Sequence, residues 1–463
     1  MLGLVLHVET TPPLYFVLIW AWGHLFGTGE VALRLVSALA GIAVVPIAYL
    51  CGKELASRRA GVLAAAFVTV NPLLIWYSQE ARAYMLLVAL SGASFLWFAR
   101  ARRDPSTRNV AWWAVCSALA LMTHFFAGFL VAVEAVWLLW VARTRLVAAA
   151  VAVVAVVEAA MMPFAVLDTS HGAGWIGAEP RVNRVSQAIS EWGISILYRR
   201  TTIAAGLIAG AALVVVITAL ALLGGDRRTR NAVGVGAAVV AFVWLAPLAL
   251  GVLSPAHDYF ISRNMMPAIV PLAVVLAAGC AAPRTRLLGG ALAAALLALF
   301  AIAAVRVQTH PYLERPNWRA VARALGPATV PRVILAANGT TADPLKIYLR
   351  GVHWSEPYGR TWVIEEVDVV GAIKRLSLLP EHPTDVHALR GRRRGPVGRP
   401  VPRYTAPRGT RLLARFKLDS WVLARFALRR PLRITLPRLA ALAPRFFHRA
   451  PAKLLAFFQP VER

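Results

Sequence analysis

Long apolar runs separated by short basic segments occupy most of the first 306 residues. A helix needs about 17–25 apolar residues to cross a bilayer, and runs of this length lie at 33–53, 60–77, 81–100, 146–167, 201–224, 231–253, 264–282 and 287–305. The stretch 110–142 is too long for one upright helix and rather short for two. Thr123 and His124 at its midpoint predict a polar turn between two short crossings. The pattern therefore predicts ten crossings and a mainly α-helical membrane protein.

Lysine and arginine mark the cytoplasmic ends of membrane helices. Here they follow every second crossing: Lys53, Arg58 and Arg59; Arg100, Arg102, Arg103 and Arg108; Arg143 and Arg145; Arg227, Arg228 and Arg230; Arg284 and Arg286. This alternation predicts that 77–82, His124, the loops 168–200 and 254–263, and everything after Arg306 are extracytoplasmic.

The segment 12–27 is too short for a full crossing, because sixteen helical residues reach only about 24 Å across a core of about 30 Å. Pro12 and Pro13 suit a helix start, and Gly27 suits its end. The sequence predicts a juxtamembrane helix here, with Glu9 just outside the membrane at headgroup depth.

The chain divides into five predicted regions. Residues 1–32 form an external loop with the juxtamembrane helix, and 33–306 form the transmembrane domain. Residues 307–385 alternate helical and strand patterns and predict a small α/β domain. The Pro, Gly and Arg stretch 386–410 is predicted to be a disordered basic linker. The basic segment 411–463 shows two alternating stretches, near 411–418 and 421–435, and an amphipathic end, 440–458, that could lie on a membrane surface.

Composition supports the membrane assignment, since 59% of the 463 residues are hydrophobic and only 16% are charged, against about a quarter in ordinary soluble domains. The net charge of +28 is concentrated in the tail. A basic excess suits anionic headgroups or acidic polymers, or it reflects an arginine-rich genome; nucleic acid is not an expected partner of a chain embedded in a bilayer. The three cysteines lie in apolar runs and are interpreted as packing residues.

Several polar residues are predicted to share the outer side and one depth. These candidates are Glu9; Gln79, Glu80 and Arg82; His124; and His257, Asp258, Arg263 and Asn264. Arginine binds phosphate bidentately, and a carboxylate accepts a proton from an incoming hydroxyl or holds a divalent ion. Such a set suits glycosyl transfer from a lipid-phosphate donor, although any one of these residues taken alone is better explained as part of a polar turn.

Five motifs in order carry a family resemblance: ETTPPLYF, GEVALRLVSALAG, NPLLIWYSQEARAYMLL, THFFAGFL and FISRNMMPAIVPLAVVLAAG. Over about residues 7–325 the chain resembles the bacterial GT-C membrane glycosyltransferases, which are akin to the protein O-mannosyltransferases and the aminoarabinose transferase of lipid A. The resemblance implies a polyprenyl-phosphate sugar donor, a mannose-like sugar, and a protein, lipid or cell-wall glycan acceptor outside the cytoplasm. It also implies a multi-pass protein of the bacterial inner membrane with its C-terminal domain outside.

Site residues follow from the same resemblance. Arg82 and Arg263 are expected at the donor phosphate, with His124 beside them, and Glu80, Gln79, Asn264, His257 and Asp258 in support. Glu9 matches the acid before the prolines, which the family uses in metal or donor-phosphate binding, so a divalent metal ion is one option as a cofactor. The family places a first transmembrane helix and an Asp–Glu pair, with Asp as the base, before PPLY. Nothing stands before Met1 here; we expect a start codon placed too late, and the catalytic base stays unknown, with Glu9 as a candidate.

Two other functions stay open. An inactive scaffold or binding paralogue would explain the missing acid, and a membrane transporter is a further alternative, although transporters usually show inverted repeats and midplane polar groups. Glu134 and Glu158 lie within crossings, where an acid is a functional candidate by default. For Glu134 the competing interpretation is a neutral carboxyl hydrogen-bonded between helices. The loop helix VSQAISEWGISIL either covers the donor site as a lid or only covers the bundle.

Overall fold

A computed structural model describes residues 11–171, 180–193, 203–254, 258–309, 317–337, 345–349, 351–354, 361–372, 406–418, 421–446 and 454–461. The chain forms two compact units, Met1–Val307 and Gln308–Arg463. The first unit is built from helices, and the second carries a β-sheet. Glu9 and His257 lie outside the described residues.

The first unit contains thirteen described α-helices, numbered here along the chain. They are α1 Leu14–Phe26, α2 Glu30–Leu55, α3 Arg58–Val70, α4 Pro72–Ser78, α5 Tyr84–Ala101, α6 Thr107–Thr123, α7 Ala127–Ala142, α8 Arg145–His171, α9 Arg181–Gly193, α10 Ile203–Ala219, α11 Arg227–Leu253, α12 Ile269–Cys280 and α13 Arg286–Thr309. A π-helical turn, Leu220–Gly224, extends α10, and a 3-10 helix, Ser262–Ala268, leads into α12. A second 3-10 turn, Pro283–Thr285, precedes α13.

Six helical segments of the described chain are long and apolar enough to cross a membrane: α2, α5, α8, α11, the 3-10 helix with α12, and α13 with its preceding turn. The pair α3 and α4 becomes a seventh if its 58° bend lies within one span. The helices α1, α7 and Ile208–Gly224 are apolar but shorter. The mainly helical membrane fold is confirmed, and the count of ten crossings stays a prediction.

The helix predicted within 12–27 is present as α1, Leu14–Phe26, and its position beside the membrane stays a prediction. It begins after Pro13 and ends before Gly27, whose φ of 81° favours glycine. The Trp22 indole donates to the Ala32 carbonyl at 3.0 Å, and Tyr15 is buried against α2 and the start of α5. The segment that follows Glu9 is thereby packed against the end of the YSQEARAY motif at Ala83.

The predicted turn in the stretch 110–142 is also present, because α6 ends at Thr123 and α7 begins at Ala127. Glu134 on α7 is fully buried and accepts hydrogen bonds from Ser94 Oγ at 2.6 Å and Trp113 Nε1 at 3.0 Å. These donors lie on α5 and α6, so Glu134 joins three helices. This arrangement favours the interpretation of Glu134 as a structural residue.

The second unit contains a six-stranded sheet of order β2-β6-β1-β3-β5-β4. Its strands are β1 Arg332–Ala337, β2 His353–Trp354, β3 Trp362–Ala372, β4 Thr410–Lys417, β5 Trp421–Ile434 and β6 Leu454–Gln459. β1 and β3 are parallel, and the other pairs are antiparallel. Helices α14 Trp318–Leu325 and α15 Leu345–Tyr348 pack on one face, and α16 Leu436–Leu442 with the 3-10 turn Ala443–Phe446 packs on the other.

The structure corrects the predicted boundary between the α/β domain 307–385 and a separate basic segment 411–463. β5 pairs with β3 and β6 pairs with β1, so both regions build one sheet. Phe457 and Phe458 are buried in its two cores. Within the predicted amphipathic end 440–458, residues 440–446 pack on the sheet and 454–458 belong to it, so the described parts of this pattern reflect burial against a sheet. Most of the predicted linker 386–410 lies outside the described residues.

Candidate active site

The YSQEARAY motif forms a turn between α4 and α5. Asn71 starts α4 by accepting hydrogen bonds from the backbone N–H groups of Leu73 and Leu74 through Oδ1, as expected of an N-cap. After α4, the Arg82 side chain is 52% exposed and its Nε lies 3.8 Å from Glu80 Oε1. The Ser37 hydroxyl donates to the Arg82 carbonyl at 3.2 Å. The Ser37 contact thus fixes the turn to α2, and the contact between Arg82 and Glu80 is long.

Arg263 approaches this turn from the 3-10 helix before α12. It is half-buried and lies within electrostatic reach of Tyr77, Tyr84, Glu80 and Arg82. The next residue, Asn264, donates its side-chain amide to the Tyr259 carbonyl at 2.7 Å. The predicted donor-phosphate arginines, Arg82 and Arg263, therefore belong to one cluster, and Asn264 fixes the loop that supplies Arg263.

His124 lies behind this cluster, in the turn between α6 and α7. Its ring contacts the rings of Tyr84, Phe125 and Phe126, and its Nδ1 accepts from the Phe126 N–H at 3.4 Å. Burial and the nearby Arg263 charge lower the pKa of His124 to about 3. The neutral ring supplies no positive charge to a phosphate, and the predicted role of His124 beside Arg82 and Arg263 stays a prediction.

The amphipathic loop helix α9 is fixed to this side of the unit by a buried ion pair. Arg184 donates to both carboxylate oxygens of Asp258, at 2.8 and 2.6 Å, and also to the Phe260 carbonyl at 2.8 Å. Burial opposes the charged form of Asp258, but the hydrogen bonds and charge of Arg184 hold its pKa below the ordinary value. Arg181 adds a second, half-exposed contact to Asp258 at 3.1 Å. Asp258 therefore anchors α9.

The last turn of α9 places an acid beside Arg263. Glu191 is buried and accepts hydrogen bonds from Gln187 Nε2 at 2.6 Å and from the Ser262 hydroxyl. Burial raises the pKa of Glu191 to about 7, although both hydrogen bonds and the Arg263 charge oppose the rise. The carboxyl group next to Arg263 is therefore close to its titration point at neutral pH.

Two further hydrogen bonds complete the attachment of α9. The Trp192 indole donates to the Ser262 carbonyl at 3.2 Å, and the Asn71 amide donates to the Trp192 carbonyl at 3.2 Å. The YSQEARAY turn, the 3-10 helix and α9 thus meet around Glu80, Arg82, Arg263 and Glu191. This group of four residues is called the outer charged cluster below.

Sequence analysis missed Glu191, Ser262 and Asn71. A signal for Glu191 was present, because Arg184, Ala188 and Glu191 recur at helical spacing on the same face as Trp192. Charged residues on the buried face of an amphipathic helix require partners. The partners themselves lie about seventy residues away along the chain, and no local pattern identifies them.

Among the described residues, no group of three or more His, Cys, Asp or Glu side chains is arranged to hold a metal ion. The outer charged cluster combines two carboxyl groups with two guanidinium groups, and guanidinium offers no lone pair to a metal. The described part of the site therefore does not fit a metal ion, and Glu9, the predicted metal ligand, lies outside it.

The comparisons with known proteins bear on the helical membrane unit. Residues 10–167, about a third of the chain, match the family described as dolichyl-phosphate-mannose-protein mannosyltransferase. The match includes the PPLYF, YSQEARAY and THFFAGFL motifs and confirms the resemblance over this region. No curated protein matches the chain.

Solved structures with similar chains include two of ArnT from Cupriavidus metallidurans. The apo form is 15% identical, covering 90% of this chain and 87% of that chain with a TM-score of 0.35. The form bound to undecaprenyl phosphate is 14% identical, covering 90% and 88%, also with a TM-score of 0.35. An oligosaccharyltransferase of Archaeoglobus fulgidus in complex with Zn and sulfate is 14% identical, covering 68% and 47%, with a TM-score of 0.35.

Proposed function

We propose that the chain is a membrane glycosyltransferase that moves a sugar, mannose-like by family, from a polyprenyl-phosphate donor to an extracytoplasmic acceptor. The observation that carries the proposal is the outer charged cluster, in which Arg263 and Arg82 meet although 181 positions separate them in the sequence. Glu80 and Glu191 lie near these two guanidinium groups, but the raised pKa of Glu191 leaves part of this carboxyl group protonated at neutral pH, so the arginines still attract a further anion. A phosphate monoester or diester is such an anion, and arginine matches its oxygens in pairs.

The reaction breaks one bond and forms another. The acceptor hydroxyl oxygen attacks the anomeric carbon as the bond from this carbon to the donor phosphate oxygen breaks, which inverts the anomeric configuration. The departing lipid phosphate gains negative charge, and Arg82 and Arg263 stabilise this charge as it develops. The hydroxyl proton passes to a carboxylate base, for which Glu9 is the proposed candidate.

Glu191 fits the same scheme as a positioning residue that acts through Arg263. Its hydrogen bonds to Ser262 and Gln187 hold the carboxyl group against the 3-10 helix that carries Arg263. An ionised Glu191 competes with the phosphate for the Arg263 charge, whereas a protonated Glu191 leaves that charge to the donor. We expect donor binding to weaken as Glu191 ionises.

The bilayer supplies the donor under this proposal, because the polyprenyl tail is dissolved in it. The positive-inside rule, applied to the basic loops, supports an extracytoplasmic position for the outer charged cluster. The sheet of the second unit then lies outside the cytoplasm as well, in a multi-pass protein of the bacterial inner membrane. A protein, lipid or cell-wall glycan acceptor would reach the cluster from that side.

Turnover of a panel of polyprenyl-phosphate sugars by membranes containing the full-length protein tests the proposal. Arg263→Ala is expected to lower kcat by about 10²–10³, the cost of removing one donor aimed at a developing oxyanion. Arg284→Ala, an exposed arginine in the turn before α13, is the matched control and should leave turnover unchanged. Glu9→Gln tests the proposed base.

Two outcomes contradict the proposal. Equal turnover in Arg263→Ala and the parent chain would remove the arginine from the site. A parent chain that transfers no sugar from any donor, but binds or flips the lipid, would indicate a scaffold or a transporter instead.

A further inference from the structure

The edge strand β4 exposes apolar and basic side chains on both of its faces, since Leu412 pairs with Phe426 of one core and Phe416 pairs with Leu423 of the other. Leu412, Leu413 and Phe416 are 49%, 43% and 37% exposed, and Arg411 and Lys417 flank them as exposed cations. The register shifts between Leu412 and Ala414, and such a bulge turns side chains away from the regular alternation of a strand. β4 is the last strand in the order of the described sheet. A long edge with apolar side chains is normally covered in a folded protein.

The neighbouring strand continues the same surface. Arg429, Arg430 and Arg433 near the end of β5 are exposed, and Leu432 beside them is 36% exposed. The described ranges 406–418 and 421–446 contain no acid. This exposed surface of Arg411, Leu412, Lys417, Arg430 and their neighbours is called the basic edge.

Few acids of the second unit lie among its described residues. In its described residues the acids are Glu365, Glu366 and Asp368, all on β3. Glu366 accepts from Arg425 at 2.7 Å, and Asp368 lies 3.4 Å from both Arg332 and Arg425. The ion pairs of Glu366 and Asp368 are buried inside the sheet, whereas Glu365 is half-buried at the bulge of β3 opposite the end of β5. In the described residues the exposed cations of the basic edge therefore outnumber the one acid near them.

We infer that the basic edge docks on an anionic lipid surface. Exposed cations attract anionic headgroups, each contributing about 1 kcal/mol near the surface, and apolar side chains among them enter the boundary between headgroups and acyl chains. The second unit is covalently joined to a membrane-spanning unit, so headgroups are its most concentrated anionic neighbours. An acidic peptide would be recognised by the same charges, but the exposed leucines and phenylalanine would then need a matching apolar partner.

Depth-dependent quenching tests the inference on the full-length protein in nanodiscs. A bimane label at Leu412→Cys reports on the basic edge, and doxyl-labelled lipid quenches it on contact. Val461→Cys is the matched control, because Val461 is 44% exposed and follows β6, which lies four strands away, about 19 Å at the usual strand spacing. The native cysteines are buried, and labelling of the parent chain measures their background.

In nanodiscs that contain phosphatidylglycerol, we expect quenching of the label at position 412 and not at position 461. In phosphatidylcholine nanodiscs, or at high salt, we expect little quenching at either position. Combining Arg411→Gln, Lys417→Gln and Arg430→Gln should lower the ratio of docked to undocked protein about 100-fold, which corresponds to ~3 kcal/mol. Because the three substituted residues are exposed, we expect the variant to fold normally. An unchanged melting temperature checks this. Equal quenching at positions 412 and 461 would overturn the inference. Disulfide-linked dimers through Leu412→Cys without quenching would also overturn it, because the edge would then pair with a second copy.

Discussion

Two ion pairs on the same side of the membrane unit differ in the distance between their charged atoms and in their burial. Arg184 and Asp258 meet at 2.6 Å with side chains only 4% and 2% exposed, whereas Arg82 and Glu80 lie 3.8 Å apart with Arg82 half-exposed. The first pair is closed by further hydrogen bonds from Arg184 to Phe260 and from Arg181 to Asp258. The second keeps a guanidinium group accessible. The tight pair fixes α9, whereas the long pair leaves the Arg82 side chain half-exposed.

Breaking the tight pair should have the largest effect. Arg184→Ala leaves Asp258 buried without its main partner, which costs about 3–5 kcal/mol. The matched change Arg181→Ala removes a half-exposed contact to the same carboxylate and should cost less than about 1 kcal/mol. Thermal unfolding in detergent, followed by tryptophan fluorescence, measures both. Equal losses would show that the burial of Arg184 does not set its contribution.

Glu191 should make the stability of the protein depend on pH. Its pKa rises from 4.5 in the unfolded chain to about 7 in the folded protein, so the folded state retains a proton that the unfolded chain releases. Stability from this group is complete below about pH 4.5 and is lost as pH rises through 7. The full loss is ~3 kcal/mol at about 1.36 kcal/mol per pH unit.

Glu191→Gln removes this titration while keeping a side chain that can accept from Ser262. We expect the variant to unfold at the same temperature at pH 5 and pH 8, while the parent chain loses stability over that range. A parent chain with the same melting temperature at both pH values, or a variant that retains the parent's loss, would contradict the raised pKa of Glu191.

Removing the long pair should barely change stability. Arg82→Gln is expected to cost less than about 1 kcal/mol, because the guanidinium group is half-exposed and its contact with Glu80 is long. Turnover should fall strongly in the same variant if Arg82 binds the donor phosphate. A variant that unfolds several degrees lower with normal turnover would reverse the roles given to the two pairs.

The smallest expected effect concerns His124. With its pKa at about 3, the ring stays neutral between pH 5 and 8 and should contribute no step to a pH–activity profile. His124→Gln keeps a neutral polar side chain, so the shape of the profile should match that of the parent chain. A step near pH 6 that disappears in the variant would show a titrating histidine.

The sequence predicted those parts of the fold that depend on local patterns. The bounds of α1, the turn at Thr123 and His124, the helix Trp318–Leu325 and the strand Arg332–Ala337 were all visible as apolar spacing, proline or glycine. β6 was misassigned because its partner β1 lies more than a hundred residues earlier. A short apolar segment has the same sequence pattern whether it is buried in a membrane or in a sheet.

The candidate site shows the same limit. Arg82 and Arg263 were identified from motifs. The sequence did not reveal that Asp258 pairs with Arg184 or that Glu191 lies near Arg263. These assignments require knowledge of which face of α9 is buried and against which loop. Glu9 and its role stay predictions.

The side-chain amide of Asn71 connects the start of α4 with the end of α9. Asn71 uses its oxygen to start α4 and its nitrogen to reach the carbonyl of Trp192, 121 positions later in the chain. The nitrogen therefore has no native acceptor until residue 192 has left the ribosome. The bend after α3 forms early in synthesis, whereas the surface around Arg263 closes only when most of the membrane unit has been inserted.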